Sequence, residues 1–326
     1  IRSGSYLNID ELNAYIEKRN QNRKLLFKLH QIDDITAVLE NRIRSTQNLT
    51  DKDESIISWV NNYLNSLDDI KEEIKKSPTL RFKITRIVSK VLVQEKNFEE
   101  LEIFLKENVH FLTSQNFFTQ NNHNEYLELF IYLLNSLYYN KKYKECLSYS
   151  STFLEELKKY DSLLYSKYIF YYYSNQINIY SAISPENAIK IIDEYEKKEK
   201  VNKETYEYFY ILIQRMMLNY ELNKTTNSLK TIYKIKVHPY YEKIDEQLQF
   251  KLLVGEVMLN FELQEFFKVK NVLKELEKKF SRFIKKKGVL YDIVFITKAY
   301  MNEKKDTITL KKKLEYLKNI DNNEES

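Results

Sequence analysis

Glu107 and His110 stand three residues apart, which on a helix sets a carboxylate beside an imidazole. Two such pairs, with two further glutamates, hold a di-iron centre inside helical bundles. The second pair is missing here. His30, His123 and His238 are remote from one another in sequence and form no HExxH or HxxxH pair, so the histidines read as surface or half-buried side chains and no metal site is expected. Cys146 is the only cysteine, which removes an intramolecular disulfide and a cysteine-based zinc site. It falls where the surrounding pattern asks for a small apolar residue, and that reading is preferred over a nucleophile. The acidic run Asp68, Asp69, Glu72, Glu73 reads as a solvated helix face. No glycine-rich phosphate loop occurs, which excludes Walker-type NTPases and dinucleotide folds. The chain therefore reads as a non-enzyme with no catalytic residue and no cofactor.

Two other groups could recognise a partner. Lys274, Lys278, Lys279, Arg282, Lys285 and Lys286 belong to a basic stripe that could meet phosphates or an acidic protein surface. Leu273, Leu276, Phe280 and Phe283 interleave with it at helical spacing, so a solvated face of a packed helix is the preferred reading and nucleic-acid binding the minor one. Tyrosine is unusually frequent, at 27 residues. The run Tyr171, Tyr172, Tyr173 must point in three directions round a helix, so one ring belongs to neither core nor outer surface. Tyr and Asn bring rigid contact area and hydrogen bonds at small entropic cost, as a peptide groove requires. Compositional drift toward Lys, Asn, Ile and Tyr in an AT-biased genome is an equal explanation.

The elements that would position these residues are helices. Gly and Pro number three each in 326 residues, far below usages of about 7% and 5%, so glycine-dependent hairpins are nearly absent. Charged residues at 30% and apolar residues at 43% are mixed at short range, which suits helices with one wet and one buried face. The net charge of +5 is small and unsegregated, below what a general nucleic-acid binder carries. No apolar run of about 20 residues is present, so no membrane span is expected. Residues 1–76 read as three helices of heptad-like texture, with Asp10 and Glu11 opening the first, Asp51 capping the third, and Trp59 in its core with Ile56, Tyr63 and Leu64. Ser77-Pro78 starts the next helix. From there the pattern repeats. Leu101, Cys146, Ala188, Ser228 and Val269 each follow a turn and are separated by 45, 42, 40 and 41 residues. Phe98, Tyr143, Pro185, Thr225 and Phe266 stand three residues before them. His238-Pro239 ends one unit, Gly288 caps the last, and 289–326 is expected to hold further helices, over 290–301 and 309–317, and a disordered tail from 321.

An aromatic in the turn, a small residue early in the second helix and an apolar residue four further on are together similar to the tetratricopeptide-repeat (TPR) superfamily. The matching positions are Phe98/Leu101/Leu105, Tyr143/Cys146, Ala188/Ile192, Ser228/Ile232 and Phe266/Val269/Leu273, within about residues 80 to 280. Leu134 and Lys141 replace the family's glycines, and the spacing exceeds its usual length of about 34 residues. The resemblance implies an all-α, right-handed α-α superhelix of helical hairpins over 77–288 with an N-terminal helical cap. It also implies a scaffold that binds a peptide or protein partner on its concave surface. Counting from the repeat anchors places Asn135, Tyr139, Tyr173, Tyr180, Tyr210, Met217 and Tyr220 on that wall. The alternative expectation is the peptide-sensing part of a transcription regulator whose DNA-binding domain lies outside this sequence. A cytoplasmic protein is expected in either case.

Overall fold

The computed structural model describes residues 8–46, 76–199 and 201–281, together with 58, 62, 65, 294 and 297. Every described element is helical: α1 (Ile9–Thr46), α2 (Pro78–Glu95), α3 (Phe98–Ser114), α4 (His123–Tyr139), α5 (Tyr143–Leu157), α6 (Tyr165–Ile183), α7 (Pro185–Lys198), α8 (Tyr206–Glu221), α9 (Thr225–Lys236), α10 (Glu246–Glu262) and α11 (Phe266–Lys279), with short 3-10 turns between some of them. The chain divides into two compact units, Ile1–Asn175 and Gln176–Ser326, the boundary falling inside α6. In the first unit α1 packs on α2, α2 on α3, α3 on α4 and α4 on α5. In the second, α7 packs on α8, α8 on α9, α9 on α10 and α10 on α11. Consecutive helices thus make the principal contacts in each unit.

One expectation about the N-terminal segment needs correction. Two helices were expected before Asp51, and a single helix of 38 residues covers that stretch, because nothing between Ile9 and Thr46 is Gly or Pro to break it. Among its described side chains the packed ones lie between Leu25 and Thr36, with Ile32 and Ile35 buried and an ion pair from Lys83 to Asp33. Trp59 and its expected neighbours, the Asp51 cap, Gly288, the tail and, apart from Val294 and Thr297, the C-terminal helices lie outside the described residues. Val294 is buried in the core of the second unit with Val257, Val272 and Phe280.

The sequence interval coincides with helix starts and with buried positions. Phe98, Tyr143, Pro185, Thr225 and Phe266 are each the first residue of the second helix of a pair. The five anchors Leu101, Cys146, Ala188, Ser228 and Val269 all have 0% exposure. Four residues on, Leu105, Ser150, Ile192, Ile232 and Leu273 are buried too, so each second helix presents the same edge to its neighbours. A small anchor also lets backbones approach: the Ser228 hydroxyl donates to the Met216 carbonyl at 2.8 Å, and the Cys146 thiol to the equivalent Leu134 carbonyl at 3.3 Å.

The turns explain how a chain so poor in glycine makes hairpins. Lys96, Lys141, Asn223 and Gln264 adopt left-handed φ values of 56°, 58°, 57° and 59°, each two residues before the next helix. In all four turns the residue after the left-handed one donates its N–H five residues back, as from Lys142 to Leu137 and Lys224 to Asn219, closing a Schellman motif. An L-residue there costs roughly 1–2 kcal/mol, which the packed helices on both sides offset. The α6–α7 turn departs from the pattern. Pro185 drives Ser184 out of helical geometry to φ −158° and ψ 91°, and one extended residue replaces the motif.

Candidate functional site

Glu107 accepts from Arg81 at 2.9 Å and His110 is exposed, and among the described residues no three His, Cys, Asp or Glu side chains gather as metal ligands. Burial pushes the Cys146 thiol up to about 11 even though it is hydrogen-bonded to Asn175, so it remains protonated at neutral pH. Glu102, 3% exposed, accepts from Lys106, Lys142 and Asn140 at 2.7–2.8 Å. Burial by itself would raise its carboxyl; these three bonds outweigh it and hold the group down to about 2. That cluster pins α3 to the turn between α4 and α5.

The second unit carries a surface with a different character. Thr205 caps α8 by accepting from the Tyr208 amide, and the helix turns Phe209, Leu212 and Leu218 into the core. What remains outward is a stripe at helical spacing: Tyr210, Gln214, Met217 and Glu221. At its upper end Gln214 donates to the Tyr210 oxygen at 2.7 Å and to Asn178 Oδ1 of α6 at 3.4 Å, and the Tyr210 hydroxyl donates to Asn178 Oδ1 at 3.3 Å. The Asn178 amide N–H groups and the Gln214 carbonyl oxygen find no partner among the described residues. One donor group and one acceptor, on two half-buried side chains, are thereby left for a further partner.

At the lower end of the stripe a cleft of about 340 Å³ opens between α8, α9 and α10. Met216, Met217 and Met258 line it, three of the four methionines in the chain. Gly255 and Ser228 supply room in its floor, where a Cβ on Gly255 would stand 3.8 Å from the Ile232 side chain. Met217 is 56% exposed and Tyr220 42%. The Tyr220 hydroxyl donates to Glu262 at 2.9 Å, and burial, then that carboxylate, raise the phenol above its usual range. Flexible thioethers around a shallow apolar space accept side chains of varied shape.

The other expected wall residues fall in several environments. Asn135 and Tyr139 are exposed on α4 in the register that Met217 and Glu221 occupy on α8, and Tyr139 stacks on Phe98 with centroids 4.1 Å apart. Tyr180 is half-buried on α6. Tyr173 has only 5% exposure, so it is part of the core and not available as a wall residue. The tyrosine run does point three ways, with Tyr171 exposed, Tyr172 half-buried and Tyr173 inside, which assigns the intermediate direction to Tyr172. Lys274, Lys278 and Lys279 are exposed on α11, where Lys279 pairs with Glu275 at 3.1 Å; Arg282, Lys285 and Lys286 lie outside the described residues.

Asn178, Gln214, Gly255, Met258 and Glu221 escaped sequence reasoning. A signal existed: Met217 and Met258, and Glu221 and Glu262, are each 41 residues apart, the local repeat interval. Comparisons with protein-family models, with curated proteins and with solved structures gave no match.

Proposed function

We propose that the chain is a TPR-like helical-repeat scaffold, its hairpins stacked as in a right-handed α-α superhelix, that binds an extended peptide segment of a partner protein along α8. The support for stacking is the turn geometry shared by four helix pairs and the burial of all five anchors. The observation that carries the binding role is the α8 stripe, with an unpaired amide donor and acceptor at one end and a methionine cleft at the other. Gln214 and Met217 are separated by about 4.5 Å of helix rise. A segment that pairs one peptide group with Asn178 and Gln214 therefore reaches the cleft with its adjoining side chain. No bond is made or broken in this role.

Selecting short random peptides displayed on phage against the folded protein, then measuring the recovered peptides by fluorescence anisotropy, tests it. Met217→Asp is expected to weaken them at least about tenfold, or about 1.4 kcal/mol, without altering the melting curve, since Met217 is exposed. Recovered peptides that bind Met217→Asp as well as the parent would refute the assignment.

A further inference from the structure

Resting on that peptide-binding reading, the charge beside the cleft defines the segment more closely. Glu221 lines the cleft, is exposed, and makes no hydrogen bond or ion pair among the described residues. Lys224 in the following turn forms no ion pair with it. At the same register on α10, Glu262 accepts from Tyr220 at 2.9 Å and from Thr225 at 3.3 Å; two hydroxyl donors fix that carboxylate without neutralising it. At this register in the first unit, Tyr139 is occupied by its stack on Phe98. Glu221 has no comparable engagement. It is also the last residue of α8, as Glu262 is of α10, so the carbonyl ends of both helices add negative potential at this edge of the cleft. The nearest lysine in the matching stripe, Lys251, precedes Met258 by seven residues and stands about 10 Å away toward the opposite end.

Spacing then sets register. Met217 and Glu221 are four residues apart, about 6 Å of helix rise. In an extended peptide, side chains two positions apart share a face and stand about 6.6 Å apart. We infer that the partner segment carries an aliphatic side chain in the methionine cleft and a lysine or arginine two positions away, over Glu221. Adjacent placement would send the two side chains to opposite faces and lose one contact.

The test is to run the phage selection on the parent and on Glu221→Lys, and to titrate a synthetic copy of the most enriched parental peptide. Expected are parental winners with Lys or Arg two positions from an aliphatic residue, an acidic residue or no preference there for Glu221→Lys, and at least about tenfold weaker binding of the synthetic peptide to that variant. Should Glu221→Lys melt abnormally, Glu221→Gln replaces it and is expected to dilute the basic preference. Parental winners without a basic residue at that spacing, yet weakened by Met217→Asp, overturn this inference and leave the peptide-binding reading standing. Winners insensitive to Met217→Asp overturn both.

Discussion

Individual polar residues hold this molecule together where its apolar surface runs out. Glu102 is the clearest case, a buried carboxylate satisfied by Lys106 of its own helix and by Asn140 and Lys142 from the turn of the next helix pair. Its folded value of about 2 lies below the ordinary 4.5, so the sign is that of a depressed acid. The stabilisation is fully present above about pH 4.5 and is lost as pH falls toward 2. Glu102→Gln is therefore expected to lower stability at neutral pH and to flatten the acid limb of a urea-midpoint profile in that window. A parallel acid limb in the variant would assign the acid loss to other groups. Lys236 plays the complementary part in the second unit, reaching Glu256 at 2.8 Å and Glu275 at 3.4 Å. Cys146 and Ser228 show the same economy: each is fully buried at its anchor position and donates to the carbonyl twelve residues earlier.

Among the elements, the turns determine the repeat more than the helices do. Helix lengths vary from 12 to 19 residues among α2 to α11, whereas four of the turns share one backbone conformation and one hydrogen-bond pattern. Lysine, asparagine and glutamine take the left-handed position there, so glycine should be better accommodated. Lys141→Gly is expected to raise stability by about 1 kcal/mol, read as a higher urea midpoint with unchanged slope. A lowered midpoint would show that the Lys141 side chain contributes more than its backbone strain costs. The position of each second helix was legible in the sequence because aromatic, proline or threonine residues recur at a steady interval, but the aromatic residues read as part of the turn are in the structure the first residues of the helix. The turn itself was not, since Lys141 carries none of the signal that glycine would. Nor was the length of α1, whose heptad texture gives no mark where one helix becomes two.

At the scale of the whole molecule, all-helical architecture followed from composition, and burial at the anchors followed from the repeat. The candidate site was legible only in part. Met217, Tyr210 and Tyr220 were reached by counting from the anchors, because a wall residue must lie at a fixed register from a buried one. Tyr173 was misplaced by that count: α6 ends in a one-residue turn at Ser184, which shifts the helix relative to its anchor. Asn178 and Met258 could not be found from residue type, since their significance arises from neighbours on other helices. The described helices include none long and apolar enough to cross a membrane. Methionine labelling tests most directly whether a partner sits in the methionine cleft. With only Met216, Met217, Met258 and Met301 in the chain, methyl-labelled methionine gives four resonances to follow as a selected peptide is added. The resonances of Met216, Met217 and Met258 are expected to shift together and saturate with the binding curve. A saturable binding curve that leaves the cleft methionines unmoved would contradict the account.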